Sequence, residues 1–196
     1  DAGIEEAHIL GISMGGMIAQ RYAVEYDRAK SLVLMSTDPG GDESIDPAPE
    51  VADRILNPPQ DVTPRENIGY KMQPAFTDNF WEVQEETIEK ILDLRVENPV
   101  SDEVRGWQAA GVAAFEMSDE LEDIQIPTQV LHGERDKVVP VENSQILADR
   151  IPNAERVTYD RGGSHLFIIE RRQAVNGRIL DFLERVEKPA RALADD

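Results

Sequence analysis

Cysteine is absent from this 196-residue chain, which excludes a disulfide framework and any thiolate metal site. Histidine occurs three times, at positions 8, 132 and 165, with no ligand partners at metal-binding spacing, so neither a metal nor a cofactor is implied. No apolar run approaches the roughly 20 residues a membrane span requires, and the opening residues carry no signal-peptide pattern. The expectation is a cytoplasmic chain without membrane association. Positive charge is also scarce. Twenty basic residues, only five of them lysine, face 39 acidic ones, for a net charge of −19. Such a field repels nucleic acid and anionic lipid. The acidic excess is scattered in pairs such as Asp42-Glu43, Glu85-Glu86 and Asp119-Glu120, which argues against an acidic tail or a dedicated cation site. A surface adapted to molar salt is expected, because at 1 M the Debye length falls to about 3 Å and self-repulsion is screened.

With 40% hydrophobic residues the chain can bury a sizeable core, and its length suits one domain with an insertion. Three zones follow one another. Residues 1–38 read as the tail of a helix (1–7), a strand at 8–10, a helix at 17–26 and a strand at 32–35. Residues 39–117 change character. Prolines cluster at 47, 49, 58, 59, 64 and 74, strand-like alternation disappears, and helices are expected at 49–56, 65–71, 78–97 and 101–117. Ser101 before Asp102 and Glu103 is a good helix start. Residues 118–196 alternate again, with strands at 128–131 and 156–159, helices at 141–151 and 167–186, and a frayed tail at 187–196. The fold class is therefore α/β: a parallel sheet flanked by helices, with a helical insertion between two strands.

The strongest local signal is Gly11-Ile12-Ser13-Met14-Gly15-Gly16, directly after the apolar run His8-Ile9-Leu10 and before a helix-forming stretch. Strand, Gly-x-Ser-x-Gly and helix together are the form of a nucleophile elbow. The serine projects its hydroxyl from a sharp, strained turn, and Gly11 and Gly15 are expected to be glycines because a Cβ at either would clash across that turn. A serine hydroxyl is a poor nucleophile at neutral pH, so it needs a base, and the base needs an orienting carboxylate. His8 lies on the strand that precedes the serine, and His132 lies in or at the end of another strand. His165 sits in the loop Gly162-Gly163-Ser164-His165 after a strand and is the candidate base. Asp136 follows the strand at 128–131, 29 residues before His165, and is the favoured acid. Asp38, at the end of the preceding strand, is the alternative, although before Pro39 it reads first as a turn residue.

Gly-Ile-Ser-Met-Gly-Gly-Met-Ile-Ala-Gln, His-Gly-Glu-Arg-Asp-Lys-Val-Val-Pro and Gly-Gly-Ser-His together resemble the α/β-hydrolase superfamily, above all its small cap-bearing esterases and lactonases of the aclacinomycin methylesterase and 3-oxoadipate enol-lactonase kind. The resemblance implies Ser13 as nucleophile, Asp136 as acid, His165 as base and the Met14 amide as one oxyanion donor. It further implies an α/β-hydrolase core over 1–38 and 118–196, a helical cap over 39–117, and that this chain corresponds to the C-terminal portion of a longer hydrolase, with the second oxyanion donor unassigned. Most aromatic residues of the insertion are expected in its own core. Phe76, Phe80 and Trp107 are the candidates for lining a substrate pocket.

The expected activity is hydrolysis of a small-molecule carboxylic ester or lactone through an acyl-enzyme. Same-fold, non-hydrolytic chemistry (a cofactor-free perhydrolase or haloperoxidase, or a lyase) is the alternative, followed by a fragment that does not assemble the site.

Overall fold

The computed structural model describes residues 3–188. Four strands, β1 (Ala7–Ile12), β2 (Ala29–Met35), β3 (Thr128–Gly133) and β4 (Ala154–Tyr159), form one parallel sheet in the order β1-β2-β3-β4. The register sets Ile12 beside Met35, Leu34 beside Val130, and His132 beside Thr158, so all four strands deliver their carboxyl ends to one rim. The α/β class and parallel sheet are as the sequence led us to expect.

A parallel sheet covered on both faces needs strands that are apolar throughout. β2, Ala-Lys-Ser-Leu-Val-Leu-Met, shows how this is met. Leu32 and Leu34 enter a core with Ala19, Met117, Leu121, Ile124, Val130, Leu147 and Ile151. Val33 and Met35 point the other way, into a core with Leu131, Phe167, Val175, Ile179 and Phe182. Helices α1 (Met14–Glu25) and α7 (Glu142–Arg150) supply the first layer, and α8 (Phe167–Glu170) and α9 (Arg172–Glu187) the second.

Between β2 and β3 run five helices: α2 (Pro49–Leu56), α3 (Pro64–Met72), α4 (Asp78–Val83), α5 (Glu85–Glu97) and α6 (Asp102–Ala113). Their starts carry the expected chemistry. Thr63 and Glu66 form a reciprocal capping box on α3, Thr77 caps α4, and the Ser101 hydroxyl accepts from Val104 N–H on α6. Met72, Phe76, Ile88 and Leu92 make a separate small core, against which Leu166 and Ile169 pack from the β4–α9 side. Leu166 N–H also donates to the Ala75 carbonyl at 2.9 Å, tying the insertion to the loop that carries His165.

Several expectations are corrected. Residues 3–6 are not helical. Arg28 binds the Ile4 and Glu5 carbonyls and Ala7 N–H donates to the Arg28 carbonyl, so these groups are taken by a neighbouring segment rather than by a helix. The single helix expected over 78–97 is two, broken at Gln84, which caps both pieces with φ −97° and ψ 43°. The helix expected over 101–117 stops at Ala113, because Glu116 pairs with Gly40 in an antiparallel bridge and Met117 enters the sheet core. The helix expected over 167–186 is split at Arg171. The tail expected at 187–196 lies outside the described residues except for Glu187, the last residue of α9, and Lys188.

Candidate active site

At the rim, β1 ends at Ile12 and the chain turns at once into α1 through Ser13, whose φ of 52° and ψ of −125° lie far from the conformations L-residues favour. Holding such a residue costs about 1–3 kcal/mol, which the surroundings must over-determine. They do so through hydrogen bonds to its backbone. Ser13 N–H donates to the Met35 carbonyl at 2.9 Å, and the Ser13 carbonyl accepts from Gly16 N–H at 2.7 Å and the Thr37 hydroxyl at 2.8 Å. Crowding explains two of the glycines. A Cβ on Gly11 would lie 2.1 Å from the Gly15 carbonyl oxygen, and one on Gly16 would lie 2.6 Å from the Thr37 side chain. Gly15 differs from expectation, because a Cβ there meets nothing within 4 Å; the second crowded glycine of the turn is Gly16.

His165 stands on the loop between β4 and α8. Its position is fixed from just past the end of β2, since the buried Ser36 hydroxyl donates to the His165 carbonyl at 2.8 Å. Ser36 is held in a left-handed conformation (φ 44°), and its N–H donates to the Leu131 carbonyl at 3.2 Å. Three consecutive residues, Met35 to Thr37, thus grip the backbone of both Ser13 and His165. Sequence reading passed over Ser36 and Thr37; the only available sign was a Ser-Thr pair at the mouth of a strand.

Asp136 lies in the loop after β3. Its carboxylate accepts from Val138 N–H at 2.9 Å and Val139 N–H at 2.8 Å, and from the His165 ring at Nδ1, 2.9 Å from Oδ2. A second imidazole shares it: Nε2 of the fully buried His132 lies 3.1 Å from Oδ2 and 2.9 Å from the Val139 carbonyl. Two acceptors on Nε2 require the proton there, which leaves His132 Nδ1 buried without a partner among the described residues. Burial opposes ionisation of Asp136, but His165, through its charge and its hydrogen bond, and the His132 bond outweigh it and hold the carboxyl well below the usual carboxylate range. The acid and histidine loops cross tightly: Arg135 N–H donates to the Gly163 carbonyl at 2.7 Å, and a Cβ on Gly133 would lie 2.2 Å from that same oxygen.

With Nδ1 directed at Asp136, His165 Nε2 has no hydrogen-bond partner among the described residues. Nor does the Ser13 hydroxyl take a partner among the described residues. The structure therefore brings Asp136 and His165 into contact and places Ser13 on the same rim through shared anchors, without a hydrogen bond from hydroxyl to imidazole. Met14 opens α1, and its N–H has no acceptor among the described residues. Asp38 is elsewhere occupied, as its turn reading anticipated: it accepts from Gly40 N–H at 2.9 Å. Phe76 is buried and stacks on Phe80 at 5.4 Å beneath Leu166. Trp107 is 65% exposed on α6. An apolar groove of about 370 Å³ runs between α1 and α6, bounded by Met14, Met17, Tyr22, Val112 and Phe115.

A family model described as serine aminopeptidase, S33 (Hydrolase_4) matches residues 2–172. The chain belongs to this family of α/β-hydrolases. Among curated proteins, the α/β-hydrolase is 31% identical over 187 residues to a poly(3-hydroxyalkanoate) depolymerase of Ectopseudomonas oleovorans, covering 94% of this chain and 63% of that protein. It is 31% identical over 184 residues to a 2-hydroxy-6-oxononadienedioate/2-hydroxy-6-oxononatrienedioate hydrolase of Paraburkholderia phymatum, covering 92% and 63%. A solved hydrolase from Pseudomonas aeruginosa PA01 superposes with a TM-score of 0.75 at 28% identity, covering 92% of this chain and 65% of that one. The chain thus spans 63% of the length of the two curated relatives.

Proposed function

We propose that this α/β-hydrolase cleaves a small-molecule carboxylic ester or lactone through an acyl-enzyme on Ser13. The observation that carries the reading is the buried Asp136–His165 pair, 2.9 Å apart, on the rim where Ser13 is held in a strained turn. In this reading His165 Nε2 takes the hydroxyl proton as Ser13 Oγ attacks the carbonyl carbon. Asp136 keeps the Nδ1–H tautomer and stabilises the imidazolium, and the proton then passes to the departing alkoxide. The Met14 N–H, at the positive end of α1, faces the developing oxyanion. Water repeats the sequence in reverse on the acyl-enzyme. Hydroxyl-to-imidazole hydrogen bonds in ligand-free sites are commonly long and close in the substrate complex, so Ser13 and His165 are expected to meet when substrate is bound.

Residues 39–117 serve in this reading as a cap over the rim, with Phe76 and Phe80 as the wall nearest the histidine loop. The exposed position of Trp107 gives it the weakest support of the three aromatic candidates. The partner is a small molecule, and the acidic surface suits a cytoplasm at high salt. Among the described residues no helix is long and apolar enough to cross a membrane.

The test is a p-nitrophenyl ester series with a fluorophosphonate label. Labelling should fall on Ser13, and Ser13→Ala should lower turnover by a factor on the order of 10⁴ or more. Equal turnover by Ser13→Ala, or labelling at another serine, removes the assignment.

A further inference from the structure

A second cavity, of about 480 Å³, opens between the start of α4 and the loops carrying Asp136 and His165. Arg135, Lys137, Arg161 and Arg171 border it, with Phe80 as an apolar wall. Four cations around one concavity run against the character of a chain in which acidic residues outnumber basic ones by 39 to 20. Two carboxylates share the lining, and one of them is ion-paired within it. Asp78 faces Lys137 at 3.3 Å and accepts from Gln73 at 3.0 Å. Glu170 accepts through Oε1 from Thr77 N–H at 2.7 Å and from its hydroxyl at 3.1 Å, and its Oε2 is buried with no hydrogen-bond partner among the described residues. The guanidinium groups of Arg135, Arg161 and Arg171 have no acceptor among the described residues. Elsewhere Arg21 is ion-paired with Glu120, Arg65 with Glu89 and Asp93, Arg150 with Glu43, and Arg185 with Glu155, while the scattered Arg95, Arg172 and Arg178 have no ion pair among the described residues; what distinguishes Arg135, Arg161 and Arg171 is that they border one concavity.

We infer that this cavity binds an anionic group, a carboxylate or a phosphate, borne by a small organic molecule. Guanidinium forks match both oxyanions in bidentate geometry, and a concave site in which cations outnumber carboxylates concentrates such ligands even where the whole molecule repels them. The volume lies within the range of small-molecule sites. Its walls explain a further consequence. Arg135 precedes Asp136 and donates its N–H to Gly163, so a bound anion abuts both loops that hold the carboxylate–imidazole pair. Binding is independent of the hydrolytic reading and is measured without turnover.

Calorimetric titration of the full chain with succinate and, separately, with inorganic phosphate tests the inference. Saturable binding of at least one, weakening between about 50 and 300 mM NaCl, is the expected result. Tighter succinate identifies a carboxylate ligand, and tighter phosphate a phosphate ligand. Arg135→Gln/Arg161→Gln/Arg171→Gln should weaken binding by about tenfold or more with an unchanged melting temperature. Should the triple variant fold poorly, Arg161→Gln alone, on an exposed loop, should weaken it by about threefold. Arg172→Gln/Arg178→Gln, outside the cavity, should leave affinity unchanged. No saturable heat with either anion up to about 20 mM, or an equal loss in this α9 control, overturns the inference.

Discussion

Asp136 and Asp38 are both buried at the carboxyl rim of the sheet, and their surroundings drive them in opposite directions. Asp136 is surrounded by donors: two backbone N–H groups and two imidazoles hold it ionised against the cost of burial. Asp38 has burial as its main influence, only partly offset by the Gly40 N–H, and its carboxyl is pushed up. The signs follow from linkage. A carboxyl depressed in the folded state contributes stability that is present above its unfolded value, about 3.9, and is lost as pH falls through the folded one. A raised carboxyl does the reverse, weakening the fold above that same value. Asp136→Asn should therefore cost about 1–3 kcal/mol at pH 7 and flatten the acid limb of the stability profile. Asp38→Asn keeps an acceptor for Gly40 and should equal or exceed the parent at pH 7. Urea denaturation at pH 7, 4 and about 2.5 checks both. On turnover the ranking should be steeper, with Asp136→Asn slower by a factor on the order of 10⁴ and Asp38→Asn close to the parent. Order and loop position favour Asp136 over Asp38, and the fold sets Asp136 against His165 while Asp38 accepts from Gly40 N–H. The sharing of Asp136 by His132 was not legible, because only the fold shows that a histidine four residues earlier turns its ring onto the same carboxylate.

The elbow is an element-scale device, and its glycines separate by what surrounds them. Gly11→Ala drives a methyl into the Gly15 backbone, which has nowhere to move without unseating Ser13, and should cost at least about 2–3 kcal/mol. Gly15→Ala enters open space on a helix and should be neutral or stabilising by up to about 1 kcal/mol. Thermal melts of the two variants decide this; equal destabilisation would remove the crowding account. The motif's letters located the turn and its serine. They assigned the wrong second glycine because the crowding comes from Thr37, two residues past the end of β2, a neighbour that β1–β2 pairing brings near and linear spacing does not reveal. The helix boundaries tell the same story. Ser101 and Thr63 announce their helices through their own hydroxyls, whereas the breaks at Gln84 and Arg171 carry no glycine or proline. The end of α6 is imposed by Glu116 pairing with Gly40, across 76 residues of chain.

For the whole molecule, the net charge of −19 is the property with the largest expected response to conditions. Like charges scattered over the surface repel over a Debye length of about 10 Å at 0.1 M salt and about 3 Å at 1 M. The melting temperature should therefore rise by several degrees between 0.1 and 2 M KCl. The same midpoint at both concentrations would end the high-salt reading. The ion pairs present do not compensate for the imbalance: those of Arg65, Lys90 and Arg185 are solvent-exposed, where individual pairs contribute about 0–1 kcal/mol.

The sequence by itself determined the parallel α/β architecture, the strained serine between strand and helix, the order of acid and histidine behind it, and the charge. Each of these is written in local patterns: apolar runs, glycine spacing, and composition. Tertiary structure alone decided that Met35, Ser36 and Thr37 anchor both Ser13 and His165, that His132 shares the carboxylate, that Gly16 rather than Gly15 is crowded, and that unpaired arginines from two loops and a helix junction meet around one cavity. Those features arise between residues far apart in the chain. Only burial, pairing register and the crossing of loops bring them within bonding distance, and none of the three is a property of a local stretch of sequence.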